Sequence, residues 1–189
     1  MSTRAGDAWY DSTSVPELSV VIPAYNEAEN LVGTISEWTT ELDRLGIDYE
    51  LTVYDDGSRD DTEGVVRALA ANQPRLTVER HANMGHGPTI LRGYRQARGE
   101  WVLQIDSDRE IRAAAFEQLW RHRNEYDLLM GRRTDRASPI ARRVVTWMAR
   151  TSIRFLFGAP IQDVNTPYRL VRRDALERID TLDPAELGL

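Results

Sequence analysis

The sequence predicts an α/β fold with a mostly parallel central sheet flanked by helices, and three observations carry that expectation. Four short apolar runs rich in branched and aromatic residues, Leu18 to Ile22, Tyr49 to Tyr54, Leu76 to Glu79 and Trp101 to Ile105, read as strands. Between them lie stretches of about 10–15 residues with apolar positions at helical spacing. The joints are short and polar, and strands separated by helices pair in parallel through crossovers rather than through hairpins.

Taken in order, Met1 to Glu17 mix Ser, Thr, Gly, Asp and Pro without periodicity and read as a flexible tail, with order expected from Leu18. Pro23 is expected to stop the first strand. Asn26 is suited to cap a helix whose early Glu27 and Glu29 complement its positive end, and whose apolar face is Leu31, Ile35, Trp38 and Leu42. Gly46 ends it. After the second strand come Asp55-Asp-Gly-Ser58 and a helix carrying Val65, Val66, Leu69 and Ala70. The third strand leads into the glycine-bearing loop Asn83 to Gly87 and a helix carrying Ile90, Leu91, Tyr94 and Ala97. Beyond the fourth strand, Phe116 to His122 is expected to be helical, and Asp127 to Met130 a short strand closed by Gly131.

A chain of 189 residues supports one well-buried core, so a single domain over residues 18–189 is expected after the tail. The formal charge of -6 argues against a nucleic-acid partner, which calls for a basic surface stripe. The charge is unevenly spread. Between Arg121 and Arg173 stand 12 Arg and 4 acidic residues, a local excess of +8 that leaves -14 for the remainder. One end should therefore suit an anionic partner. The absence of Cys removes disulfides and thiolate metal sites. The first residues lack a secretory apolar core, and no run approaches the roughly 18–20 apolar residues that span a bilayer. A soluble or peripheral protein of the cytoplasm is expected.

Asp106-Ser-Asp108 places two carboxylates one residue apart at a strand end, where they suit a hard divalent cation holding a diphosphate. Asp55 and Asp56 end the neighbouring strand, where a carboxylate can accept hydrogen bonds from a nucleobase edge and Gly57 lets a backbone approach. The same tetrapeptide equally suits an Asp-Gly turn with Ser58 capping the next helix. Asn83 to Gly87 is suited to bring backbone N–H groups to an anion, and also fits a flexible loop tip. Arg132 and Arg133 form a pair able to grip phosphate, and equally fit a solvated pair of surface charges. Asp163 to Arg169 gathers a carboxylate, an amide, a phenol and a guanidinium within seven residues. Ser138 to Phe157 interleaves apolar and aromatic residues with Arg142, Arg143, Arg150 and Arg154, which fits a helix lying on a membrane surface and fits a core-packing helix as well.

Taken together, Val20-Val-Ile-Pro-Ala-Tyr-Asn-Glu27, Asp55 to Thr62, Asn83 to Gly87, Asp106 to Asp108 and Asp163 to Arg169 resemble, in order, the motifs of the family 2 glycosyltransferases. Within them the chain is most similar to the polyprenol-phosphate sugar transferases of the dolichol-phosphate type. The resemblance implies a GT-A fold, a nucleotide-diphosphate sugar donor linked to UDP or GDP, Mg²⁺ or Mn²⁺, and inversion at the anomeric carbon. By position it implies a nucleoside pocket of Pro23, Ala24, Tyr25, Glu27, Asp55 and Asp56. It implies metal and diphosphate handling by Asp106 and Asp108, with Glu110 completing the metal shell. Arg133, with Arg132 beside it, and Arg169 would meet phosphate, and Asp163 would stand by the reacting sugar. His86 replaces a frequent Lys, and Thr166-Pro167-Tyr168 replaces Ser-Gly-Phe.

The expected function is sugar transfer to a polyprenyl-phosphate acceptor at the cytoplasmic face of a membrane, with residues 138–157 on the surface and Asp108, Arg133 and Asp163 at the chemistry. A soluble transferase acting on a saccharide or small molecule, and a nucleotide-binding or membrane-docking subunit without activity, are the alternatives. A nucleotidyltransferase fits worst, because no glycine-rich basic loop follows the first strand.

Overall fold

The structure, a computed structural model, describes residues 14–131 and 168–180. Its strands are β1 (Leu18–Ala24), β2 (Tyr49–Asp55), β3 (Leu76–Arg80), β4 (Trp101–Gln104), β5 (Leu128–Met130) and β6 (Arg169–Arg172). Its helices are α1 (Ala28–Arg44), α2 (Thr62–Ala70), α3 (His86–Gln96), α4 (Phe116–Arg121) and α5 (Arg173–Asp180). Together the strands make one sheet in the order β3-β2-β1-β4-β6-β5. The first four strands are mutually parallel, as the alternation with helices requires, and β6 runs antiparallel to both β4 and β5. The expected α/β sheet is therefore present, in a mixed rather than purely parallel form.

Side chains alternate across the sheet. Leu18, Val20 and Ile22 of β1, Leu51 and Val53 of β2, and Trp101 and Leu103 of β4 enter the larger core with Leu31, Ile35, Trp38 and Leu42 of α1. Burying each of those large side chains contributes roughly 1.5–3 kcal/mol. Phe116 closes this layer against Trp38 with ring centroids 5.8 Å apart. The opposite face carries Val21, Tyr54 and Val102 beneath α3 and α5.

Several local expectations are corrected. Pro23 does not end β1, which runs on to Ala24. Val21 O accepts from Ile105 N, so odd-numbered positions of β1 turn their backbone groups towards β4. The β1–β4 ladder stops at Val21 and Gln104, and the missing N–H of Pro23 falls just past its end, where no bond is lost. Asn26 does not cap α1. It takes a left-handed conformation (φ 57°), and its side chain accepts from Arg59 N instead. The cap arrives from another loop, with Asp60 Oδ2 accepting from Ala28 N and Thr62 Oγ1 from Glu27 N. Nor does Ser58 cap α2, which begins at Thr62; Ser58 Oγ accepts from Asn26 N.

In α3 the buried positions are Thr89 and Gly93, while Leu91 is exposed. A Cβ at Gly93 would run into Val21 and meet the Tyr54 ring at 3.0 Å, so the glycine is what lets the helix lie on the sheet. The end of the expected tail is already engaged: Pro16 O accepts from Glu100 N, and Glu17 Oε2 from Asp48 N. No helix among the described residues is long and apolar enough to cross a membrane.

Candidate active site

A cleft of about 350 Å³ opens at the carboxyl ends of the parallel strands, lined by Pro23, Ala24, Tyr25 and Glu27 on one side and by Asp106, Ser107 and Asp108 on the other. Asp56 and the Asn83 to Thr89 segment complete it. The chain winds outward from β1 to β2 and β3, then returns to place β4 on the other side of β1. Reversal of strand order leaves a crevice between the diverging loops, and this cleft lies there, between β1 and β4.

The wall after β1 is fixed by neighbours rather than by its own side chains. Ser58, Asp60 and Thr62 accept from the successive backbone amides of Asn26, Ala28 and Glu27. Against their pull, burial raises the Asp60 pKa, but the hydrogen bonds from Thr62 and Ala28 outweigh it and hold the carboxyl below its ordinary value. Tyr25 is left 42% exposed beside the cleft, which frees its ring face for stacking.

Asp55 and Asp56 separate in role. Asp55 is fully buried and does not line the cleft; its Oδ1 accepts from Ser58 N at 2.8 Å, and Arg80 Nε lies 3.7 Å from its Oδ2. Asp56 does line it, but its oxygens already accept from Met84 N (2.7 Å) and Gly85 N (2.9 Å), with His81 Nδ1 3.4 Å away. The amides expected to meet an external anion are thus turned to the chain's own carboxylate. Gly57, at φ 71°, admits a backbone as expected, and that backbone is Asn83, whose N would stand 2.8 Å from a Cβ there.

Asp106 and Asp108 follow β4 into the cleft, and His86 at the start of α3 brings Nε2 to 3.9 Å from Asp106 Oδ1. Glu110 does not join them at the cleft. Arg109 between them has a left-handed backbone (φ 59°), which turns the chain so that Glu110 N donates to Asp108 Oδ1 while its side chain stands exposed. Among the described residues no three His, Asp or Glu side chains gather as a closed metal shell. Two carboxylates alone suit a cation that takes its other oxygens from substrate phosphates. Arg169 opens β6 opposite Gln104. Burial pushes the Tyr94 phenol pKa up, and the Arg169 guanidinium beside it pulls it back; Tyr94 in turn donates to Gln104 Oε1 at 2.8 Å. Arg132, Arg133, Asp163 and the Ser138 to Phe157 segment lie outside the described residues.

Sequence reading missed the buried Thr89 and Ser107 as lining residues, since a lone hydroxyl inside a helix or between two aspartates carries no distinctive spacing. It also missed α5 and β6. Arg169-Leu-Val-Arg172 is too short and too charged at its ends to stand out as a strand.

A model of the glycosyl transferase family 2 matches residues 19–180. An undecaprenyl-phosphate 4-deoxy-4-formamido-L-arabinose transferase of Aeromonas hydrophila is 27% identical over 170 residues, covering 88% of this chain and 52% of the relative. Glucosyl-3-phosphoglycerate synthase of M. tuberculosis superposes with a TM-score of 0.65 at 25% identity, over 85% of this chain and 59% of the other. It has also been solved with Mn²⁺, UDP-glucose and phosphoglyceric acid. Mannosyl-3-phosphoglycerate synthase of Rubrobacter xylanophilus gives 0.68 at 21% identity, over 84% and 54%. The chain spans little more than half the length of these relatives. With the family model covering the sheet, the cleft and β6 alike, the chain belongs to glycosyl transferase family 2 and carries its GT-A fold.

Proposed function

We propose that this chain is the donor-binding domain of an inverting hexosyltransferase that takes a sugar from a nucleoside diphosphate and passes it to a phosphate-bearing acceptor, with a polyprenyl phosphate as the favoured one. The observation that carries the reading is the charge of the cleft. Among the described residues that line it, Glu27, Asp56, Asp106 and Asp108 are acidic, and His86 alone can carry a positive charge. An anionic diphosphate is repelled by such a surface unless a divalent cation lies between. In this reading Tyr25 stacks on the base, with Pro23, Ala24 and Glu27 around the nucleoside, Asp56 at the base edge and the buried Asp55 holding the turn beneath it.

The residues present fit a hard cation, because all their donors are carboxylate oxygens. Asp106 and Asp108 would hold Mg²⁺ or Mn²⁺, which supplies neutralisation of the charge that gathers on the departing diphosphate. An acceptor oxygen forms a bond to the anomeric carbon while the bond from that carbon to the diphosphate oxygen breaks, and the electron pair leaves with the nucleoside diphosphate. A phosphate acceptor is already anionic near neutral pH and needs little base assistance. Arg133, with Arg132, would stabilise the leaving group, and Asp163 would orient the acceptor beside the sugar, with Arg169 towards the acceptor phosphate. Single-domain organisation over residues 18–189, a peripheral position on the cytoplasmic face and contact through residues 138–157 belong to this same proposal.

A soluble phosphate-bearing acceptor is the second reading, favoured by the likeness to glucosyl-3-phosphoglycerate synthase. Melting the protein against UDP- and GDP-sugars with Mn²⁺ or Mg²⁺ tests the donor site, since a ligand that binds the folded state raises its melting temperature. Asp108→Ala should lose the metal-dependent part of that rise. Transfer from the responding donor then separates the acceptors, a lipid product entering the organic phase and a soluble one staying in water. No rise with any nucleotide and either cation, or full turnover in Asp108→Ala, would defeat the proposal.

A further inference from the structure

Three residues of α1, Gly33, Thr34 and Glu37, lie on one helix face and all meet the loop that follows β4. Thr34 Oγ1 donates to the backbone oxygen of Ser107, between the two cleft aspartates, at 2.8 Å in a buried bond. Glu37 Oε1 accepts from Ala113 N at 3.1 Å and pairs with Arg112, whose Nε stands 3.1 Å away, and its Oε2 stands 3.7 Å from Arg109 Nη2. The Arg109 guanidinium lies over Gly33, where a Cβ would come within 2.8 Å of Nη1. Arg109 is the residue held at φ 59°, a conformation that side-chain-bearing residues keep only where their surroundings fix it. Gly33, Thr34 and Glu37 are not among the residues that line the cleft.

We infer that Gly33, Thr34 and Glu37 are positioning residues for the cation and the donor diphosphate, bracing the turn at Arg109 so that Asp106 and Asp108 stay aimed into the cleft. This rests on the donor reading above. The brace spans the loop: Thr34 fixes the backbone between the aspartates, Glu37 fixes the segment at Arg112 and Ala113, and Gly33 leaves the space in which the Arg109 side chain folds back onto α1. Carboxylate ligands left without such outer support lose alignment, and metal affinity falls even though both ligands remain. Because α1 also receives the loop from β2 at its N-terminus, one rigid helix carries both walls of the cleft.

Calorimetric titration of the full chain tests the brace, with UDP and GDP each measured with Mn²⁺ and with EDTA, and uridine and guanosine as ligands lacking the diphosphate. Glu37→Ala is expected to weaken the Mn²⁺-dependent binding of whichever diphosphate the wild type takes by about 10- to 100-fold, with nucleoside binding unchanged. Glu37→Gln keeps an oxygen for Ala113 N and should recover most of the loss. Gly33→Ala improves the helix while crowding Arg109, so its melting temperature should hold or rise as Mn²⁺-dependent binding falls. A purely structural role cannot give that split. Should Glu37→Ala fail to fold, Gly33→Ala decides alone. Wild-type metal-dependent affinity in the variants, or equal loss of nucleoside and diphosphate, overturns the brace. A wild type that binds neither diphosphate with Mn²⁺ fails earlier and takes the donor reading with it.

Discussion

Replacing Tyr168 by Phe removes one oxygen and leaves the ring. That ring is 3% exposed, packs on Trp38 with centroids 6.1 Å apart at 54°, and lies so close to Gly131 that a Cβ there would collide with it. The hydroxyl is buried with no hydrogen-bond partner among the described residues, and burial together with the Glu41 charge pushes its pKa far above the ordinary tyrosine value. A hydroxyl taken out of water without a partner costs about 1–3 kcal/mol, whereas a replacement that preserves shape recovers most of it. Tyr168→Phe should therefore stabilise the fold by about 1–3 kcal/mol, and at this chain length each kcal/mol is worth roughly 2–4 °C in Tm. Urea denaturation reads the change directly, as a higher midpoint at an unchanged slope. A lower midpoint would mean that the hydroxyl is bonded in solution, and would refute the reasoning.

Three further outcomes are expected. Stability should fall as pH rises above about 10, because burial holds the pKa of Tyr49 up at about 12 and pushes those of Tyr54 and Tyr168 up as well. The unfolded chain releases those protons first, so the contribution is intact below 10 and lost above it. Three phenols give a slope of about 4 kcal/mol per pH unit, measurable by denaturant titration between pH 9 and pH 11 on the order of that scale. Gly93→Ala forces a methyl group into Val21 and the Tyr54 ring and should cost about 1–3 kcal/mol despite its better helix propensity, read as a lower Tm. Asp60→Ala removes the carboxylate that caps α1 from another loop and should cost about 0.5–2 kcal/mol in the same assay.

Where the sequence was legible, periodicity made it so. The faces of α1 and of β1, β2 and β4 were readable because each strand or helix turns one clean apolar set inward. The pairing of Asp106 with Asp108 at a strand end was readable for the same reason, since a strand that ends in two carboxylates must deliver them beyond the sheet. What escaped depended on contacts between distant segments. Asn26 and Ser58 both have the chemistry of caps, but the bonds they make are to each other's loops, 32 or 33 positions away. Asp56 reads as a free acceptor until the Asn83 to Gly85 loop is seen to wrap it. Of the apolar residues expected on α3, Tyr94 and Ala97 do pack on the sheet, whereas Leu91 stands exposed and the deepest positions belong to Thr89 and Gly93, which no apolar periodicity marks. Glu37 looks like any solvated helix charge, and only the returning loop gives it partners.

A proline inside a central strand has one more effect. Pro23 presents a ring nitrogen without hydrogen at the point where β1 would otherwise go on lacing to β4. The two strand tips cannot zip shut by backbone pairing at that position, so the gap between them is written into covalent chemistry rather than held open by an occupant. The cleft thus keeps its doorway ajar, and a ligand arriving there need not first pull two strands apart.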